Sequence, residues 1–195
     1  MRHATSNDPA ARREANVTTQ ALADSAIRLA TPGDIAALVA IENASFPGDR
    51  LDRRRFRYLL TQANSMAFVD VDGAVVRGYI LLLLRTGWRG ARVYSIATHP
   101  AHLGCGVAAR LLTAAERWAA AHGCVEVHLE VRAENAASLA LFRGRGYVAF
   151  GRHGAYYHDG MDALRLRKKL ALSSVRLARR QRQTIASRLC ISDFS

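Results

Sequence analysis

The chain has 195 residues, half of them hydrophobic and 23% charged, and its 28 Lys and Arg against 16 Asp and Glu leave a net charge of +12. That composition suits one soluble globular domain and excludes a disulfide framework, since only three cysteines occur (Cys105, Cys124 and Cys190) and none form a CxxC pair. The longest apolar run, Tyr79–Leu84, is too short to span a bilayer and the first residues lack an apolar signal segment, so the expected location is cytoplasmic, away from membrane.

The charge is uneven. Residues 1–26 balance three basic against three acidic side chains, residues 27–164 carry sixteen basic and twelve acidic, and residues 165–195 carry nine basic and one acidic. Three regions are expected: a mobile N-terminal segment over 1–26, a folded body over 27–169, and a basic C-terminal tail over 170–195. In the body, Thr31-Pro32-Gly33-Asp34 is a helix-start signal, and Ile35, Leu38, Val39 and Ile41 repeat at helical spacing up to Ser45. Phe46-Pro47-Gly48-Asp49 breaks that helix. A very basic second helix follows from Leu51, with Leu51, Phe56, Leu59 and Leu60 as its expected buried face.

Met66–Val71 reads as a strand, Asp72-Gly73 as a tight hairpin turn, and Val75–Leu84 as a nearly all-apolar and therefore central strand. Arg92–Thr98 is a further strand, stopped by Pro100. From Val107 to His122 the residues Val107, Leu111, Leu112, Ala115, Trp118 and Ala119 form one apolar stripe, closed by Gly123. Val125–Val131 alternates as a strand. Asn135 can cap a short helix containing Leu139, Leu141 and Phe142, and Tyr147–Arg152 with Ala163–Leu166 reads as a final hairpin. A strand meander followed by strand–helix–strand predicts an α/β (α+β) fold. Its central sheet is mixed and mostly antiparallel, of six to seven strands, with helices on both faces.

The stretch His102–Leu112 (HLGCGVAARLL) places two glycines before a helix, which is how a chain presents main-chain N–H groups to phosphate. A plain turn and cap is the bland alternative. A Walker loop is absent, because no Gly-Lys-Ser or Gly-Lys-Thr occurs. A dinucleotide fingerprint fits better: Gly104-x-Gly106-x-x-Ala109 has the spacing, and Glu126 follows in the next strand. Against it, five residues (His99 to Leu103) separate the strand from the first glycine, and no further parallel βα units follow Val131. The third reading is a diphosphate loop of the acetyltransferase kind.

Tyr94-Ser95-Ile96-Ala97-Thr98-His99-Pro100 followed by Leu103-Gly104-Cys105-Gly106-Val107-Ala108 resembles motif A of the GNAT superfamily of N-acetyltransferases. In the family pattern (Q/R)xxGx(G/A), Leu103 stands where Gln or Arg is usual, while Gly106 and Ala108 are in place. The block Leu129-Glu130-Val131-Arg132-Ala133-Glu134-Asn135, Ser138 and Leu141-Phe142-Arg143-Gly144-Arg145-Gly146-Tyr147 is similar to motif B, above all that of the ribosomal-protein-alanine N-acetyltransferases. Tyr156-Tyr157 with Asp159-Gly160, and upstream Ile41-Glu42 with Ser45-Phe46-Pro47, extend the likeness over about Ile27 to Lys169.

The resemblance implies acetyl-CoA as acyl donor and a primary amine as acceptor, with a protein N-terminal amine in the acceptor class. Residues Leu103, Gly104, Cys105, Gly106, Val107 and Ala108 would hold the diphosphate; Arg110 or the basic helix would compensate for the charge missing at Leu103. Ile96, Ala97 and Thr98 would meet the thioester arm with main-chain groups, provided their strand splays from its neighbour, and Asn135, Ser138 and Phe142 would line the coenzyme.

Amine acylation needs a proton acceptor, donors for the oxyanion, and a stabilised thiolate. Glu130 is the first candidate for the base, through water; pairing with a surface arginine such as Arg132 is its plain alternative. Glu42 is the second, as base or as a partner for the substrate ammonium; its plain alternative is a solvated helix face. Relatives often carry a tyrosine where this chain has Phe142, so the departing thiolate is expected either to leave unaided or to take a proton from a tyrosine. Tyr157 is the first candidate for that proton, with Tyr147 and Tyr156 as neighbours. His99-x-x-His102-x-x-Cys105 has no fourth ligand in reach, and no metal is expected. Cys105 and Cys124 read as small buried residues.

The tail is expected to be a solvated helix, with contact to RNA or an acidic surface as the sharper alternative. Two rival functions accompany the leading one: a small-molecule or lysine acetyltransferase of the same fold, and a non-catalytic coenzyme- or RNA-associated module. Monomer and homodimer are both compatible with the sequence.

Overall fold

The computed structural model describes residues 25–171 apart from 47 and 49; the basic tail from 172 onward and the first 24 residues lie outside it. Seven strands form one sheet in the order β1-β2-β3-β4-β5-β7-β6. They are β1 (Ser25–Leu29), β2 (Ser65–Asp72), β3 (Val75–Leu84), β4 (Gly90–Thr98), β5 (Glu126–Arg132), β6 (Val148–His153) and β7 (Ala163–Lys169). Four helices accompany them: α1 (Ile35–Ser45), α2 (Arg53–Thr61), α3 (Val107–Ala121) and α4 (Ala136–Gly144). Every strand pairing is antiparallel except β4 with β5, so the expected mixed, mostly antiparallel sheet is what forms.

Two findings differ from the sequence reading. β1 begins at Ser25, ahead of Ile27 where order is expected, because it pairs along β2 from Ser25↔Asp72 to Leu29↔Phe68. The last two strands form a hairpin, but β7 turns inward and pairs with β5 over its whole length, leaving β6 at the edge.

The sheet is covered on both faces, which explains the unbroken apolar run of β3. Ile80 and Leu82 join Leu111, Leu112, Val127, Leu129 and Leu166 on the α3 side. Tyr79 and Leu81 alternate to the other face, against Leu38 and Ile41 of α1 and Phe56 and Leu59 of α2. Full burial of a Leu or Ile stabilises by about 1.5–3 kcal/mol, so the sandwiched strand anchors both layers. Gly78 within it has a packing reason: a Cβ there would lie 2.7 Å from both the Ala97 carbonyl oxygen and Val107 Cγ1. The missing side chain lets the start of α3 press onto β3 and β4.

Two register shifts matter for the site. Between β2 and β3 the register slips at Asp70/Val71: Gly78 faces Asp70 but Val76 faces Val71, so Arg77 is an extra residue in β3. Between β3 and β4, Leu81 faces Ser95 but Leu82 faces Val93, so Tyr94 is an extra residue in β4. Such a bulge interrupts the strict in–out alternation. Val93 and Ile96 pack with the α3 side, whereas Tyr94 packs on the α1–α2 side and Ser95 bonds there.

Candidate active site

β4 and β5 run side by side only from Gly90↔Glu126 to Val93↔Leu129. Beyond that, β4 stays with β3 while Glu130–Arg132 of β5 pair only with β7. The two strands therefore splay, as the coenzyme reading requires, and the β5-facing main-chain groups of Tyr94–Thr98 have no strand to bond. A cavity of about 720 Å³ occupies the notch, with Ser95 and Ile96 on one wall and Glu130 and Arg132 on the other. Asn135, Ser138 and Phe142 close it on the α4 side, and Glu42, Leu51, Tyr156 and Tyr157 on the other.

The glycine loop sits between β4 and α3. Gly104 and Gly106 have φ values of +77° and +72°, the left-handed region that glycine occupies without strain. A Cβ on Gly104 would meet nothing, whereas one on Gly106 would lie 3.4 Å from Arg110 Nη1, so the turn is open at Gly104 and flanked by Arg110 at Gly106. Among the described residues no main-chain acceptor takes the N–H of Gly104 or Gly106, and the first amides of α3 are unsatisfied by construction. Leu103 projects into solvent at 66% exposure, so this apolar side chain does not fill the place left by a charged one.

Arg110 stands beside the loop: its Nε donates to Asp70 Oδ2 at 2.8 Å and its Nη1 to the Cys105 carbonyl at 2.8 Å, while its Nη2 has no hydrogen-bond partner among the described residues. Asp70 is fully buried and also accepts from Arg77 Nε at 2.7 Å. Cys124 is buried as expected; Cys105 is exposed, because it lies on the open turn. His99 Nδ1 accepts the Ala101 N–H, a local cap.

Glu42 is not on a solvated face. It is 1% exposed, on the side of α1 that meets β3 and β4. Its Oε1 accepts from the Tyr79 hydroxyl and lies 3.3 Å from Ser95 Oγ, which is itself 2.7 Å from the Tyr79 oxygen. Burial pushes the Glu42 carboxyl above its ordinary value; the bonds from Tyr79 and Ser95, the Leu51 main chain and the charge of Arg50 pull it partly back. Tyr79 and Ser95 are partners the sequence reading missed. Tyr79 reads as one more apolar residue of β3, and it packs edge-on against Phe56 at 5.5 Å.

Glu130 reaches the cleft, but its oxygens face cations: Arg92 Nε at 2.8 Å and Arg165 Nε at 3.7 Å. Arg132 pairs with Asp159 at 2.6 Å and lies 4.0 Å from the centre of the Tyr157 ring. Arg92 also donates to the Tyr156 hydroxyl at 2.7 Å, joining β4, β5 and the β6–β7 loop. Tyr147, 2% exposed, packs beneath Phe142 at 5.4 Å, away from the cavity, and burial pushes its hydroxyl up. Phe142 bounds the cavity and has no proton to give. Asn135 Oδ1 caps α4 by accepting the Ser138 N–H at 2.9 Å, so both residues help set the pocket wall.

The family model for the Acetyltransferase (GNAT) family matches residues 35–147, from the start of α1 through the turn after α4. The chain belongs to the GNAT acetyltransferase family. Among curated relatives, this GNAT chain is 39% identical to N-alpha-acetyltransferase RimI of Mycobacterium tuberculosis over 100 residues, 50% of this chain and 61% of that protein. It is 36% identical to N-alpha-acetyltransferase MAK3 of Arabidopsis thaliana over 83 residues, 43% of each. The chain thus spans about half the length of these relatives. Its fold matches the ribosomal-protein-alanine N-acetyltransferase of Escherichia coli with a TM-score of 0.69 at 21% identity, covering 77% of this chain and 96% of that one. It also matches a NatC complex bound to Gag peptide and CoA with a TM-score of 0.67 at 22% identity, covering 76% and 99%. No described helix is long and apolar enough to cross a membrane.

Proposed function

We propose that this GNAT protein transfers the acetyl group of acetyl-CoA to a primary amine, and that the acceptor is the α-amine of a polypeptide. The observation that carries this reading is the splay of β4 from β5 after Val93, with a buried carboxylate facing the gap and a glycine turn, open at Gly104, following β4 in the chain. The residues fit the donor. The Leu103 and Cys105 amides already donate to the Pro100 and His102 carbonyls, so the amides of Gly104, Gly106, Val107 and Ala108 would take its diphosphate, the main chain of Ile96–Thr98 its thioester arm, and Asn135, Ser138 and Phe142 would bound its far side.

In the transfer, the amine nitrogen bonds to the acetyl carbon as the C–S bond breaks. The amine proton goes to a carboxylate and the sulfur ends as a thiol. Glu42 is the better acceptor for that proton than Glu130. It lies buried at the cavity with hydroxyl partners, whereas both oxygens of Glu130 face guanidiniums. Glu130 then fixes Arg92 and, through it, Tyr156. Tyr157, on the cleft wall, is assigned as proton donor to the departing sulfur. Catalysis is assigned to the body over 27–169 and contact with RNA or an acidic surface to the tail over 170–195. The assigned location is the cytoplasm.

Free thiol release from acetyl-CoA, measured against a panel of peptides and small amines, tests the proposal. Release is expected with a peptide bearing a free α-amine and not with the same peptide blocked at its N-terminus. Release only with lysine or small amines moves the acceptor class, and none with any amine overturns the reading.

A further inference from the structure

The carboxylate assigned to take the amine proton is nearly sealed. Glu42 borders the cleft but is only 1% exposed, and its Oε2 is shut from solvent. A base must come within hydrogen-bond reach of the proton it takes, directly or through a bridging group. Two hydroxyls supply such a bridge. Tyr79 Oη donates to Glu42 Oε1, and Ser95 Oγ lies 2.7 Å from the Tyr79 oxygen and 3.3 Å from the same Oε1. Tyr79 is 0% exposed, whereas Ser95 is half-buried and lines the cleft. Of the three groups, Ser95 is the one an amine can meet.

Strand register puts Ser95 there. Tyr79 and Leu81 of β3 pack on the α1–α2 side, and across from them stand Ala97 and Ser95. Ser95 is thus the diagonal neighbour of Tyr79 on one face, close enough for their side chains to meet. It also lies beyond Val93, where β4 has parted from β5, so it borders the notch and not a neighbouring strand. Donor counting fixes the direction of the chain. Each hydroxyl has one proton to give. Tyr79 gives its proton to Glu42, so Ser95 gives its own to Tyr79 and keeps its lone pairs for a donor in the cleft.

We propose that Ser95 is a catalytic residue, the group that takes the proton from the acceptor amine and relays it to Glu42 through Tyr79. As the amine nitrogen bonds to the acetyl carbon and the C–S bond breaks, the amine proton passes to Ser95 Oγ. The Ser95 proton passes to Tyr79 Oη, and the Tyr79 proton to Glu42 Oε1. Each hydroxyl ends with one proton, as it began, and the carboxylate ends as the acid. The acid returns its proton along the same chain to solvent once the product has left. This rests on the reading of Glu42 as the base and adds the group that touches the substrate.

The test follows single turnovers of acetyl-CoA by the full chain in excess, with a peptide bearing a free α-amine, and melting curves report the folding of each variant. Ser95→Ala is expected to slow transfer by about tenfold to a hundredfold, because a water fills part of the gap that the hydroxyl leaves. Ser95→Thr keeps the hydroxyl and should restore most of the rate. Tyr79→Phe keeps the ring against Phe56 and should slow transfer as Ser95→Ala does. Adding Ser95→Ala to Glu42→Gln should slow it no further than Glu42→Gln alone, since one broken chain cannot be broken twice. In mixtures of light and heavy water the wild-type rate should fall along a bowed curve, the mark of several protons moving together. Tyr79→Phe should straighten that curve, which a merely structural hydroxyl would not do. A folded Ser95→Ala protein with the wild-type rate overturns the relay, as does an isotope curve that Tyr79→Phe leaves unaltered. In either case a slow Glu42→Gln protein leaves the base reading standing. A Glu42→Gln protein with the wild-type rate removes both, and so does the absence of thiol release with any amine.

Discussion

Asp70→Asn is the sharpest structural perturbation available, because one buried carboxylate connects the sheet to the coenzyme loop. Asp70 is 0% exposed and holds the 7%-exposed Arg77 through Nε and Nη2 and the 27%-exposed Arg110 through Nε. Asparagine keeps the shape but removes the charge, and its amide must present a donor to groups that are themselves only donors. Breaking a buried pair by removing one partner costs about 3–5 kcal/mol; here Arg77 stays buried but keeps its contact with Asp72, so the cost should fall toward the low end of that range. Asp72 is an internal control: it meets the same Arg77 at 3.1 Å but is 42% exposed, so Asp72→Asn should cost under about 1 kcal/mol. Urea denaturation of the three proteins at neutral pH reads both values. A second consequence follows at the loop. With Arg110 no longer held by Asp70, its bond to the Cys105 carbonyl loosens. Re-ordering one loop residue on binding costs about 1–2 kcal/mol, so the Kd for coenzyme A should rise about tenfold. An Asp70→Asn protein within about 1 kcal/mol of wild type would refute the reasoning, because the network would then be electrostatically idle.

The remaining predictions concern proton-linked groups. Glu42→Gln should lower turnover by about a hundredfold or more, the usual worth of a general base. The wild-type acid limb of activity should lie above the ordinary carboxylate range, because burial raises Glu42. That same shift means the native state holds the Glu42 proton more tightly than the unfolded chain does. Stability should therefore fall as pH rises through the window between the ordinary and the raised value, and the Gln variant should lack that slope. An unchanged pH–rate profile in the variant would exclude Glu42 as the base. Asp34 works in the opposite sense: hydrogen bonds from Arg28 hold it down to about 2, against an ordinary 3.8. Its stabilisation should be complete above 3.8 and lost as pH falls toward about 2. Asp34→Asn should flatten acid unfolding in that interval, and an unaltered acid transition would contradict the assignment.

What was legible in the sequence was what local chemistry dictates. The glycine turn announces itself because residues 104 and 106 need left-handed backbone, and the central place of β3 shows in its unbroken apolar run. The catalytic surroundings were harder to read. Glu42 follows Leu38 at helical spacing, which puts it on the buried face of α1, but a carboxylate there looks misplaced until Tyr79 and Ser95 are brought to it across the sheet. Tyr79 hides inside an apolar run. The bulge at Tyr94, which turns Tyr94 and Ser95 to one face, follows from strand register and not from residue type. Glu130 matched its motif, yet what it does depends on Arg92 and Arg165, which only strand order places beside it.

The central claim is that main-chain amides around Leu103–Ala108 grip a diphosphate, and calorimetry tests it most directly. Titrating the full chain with coenzyme A, and separately with pantetheine, which carries the same thiol arm without the diphosphate, isolates that contact. The account predicts saturable heat with coenzyme A and none with pantetheine at equal concentration. Equal heats, or no heat from coenzyme A, would contradict it.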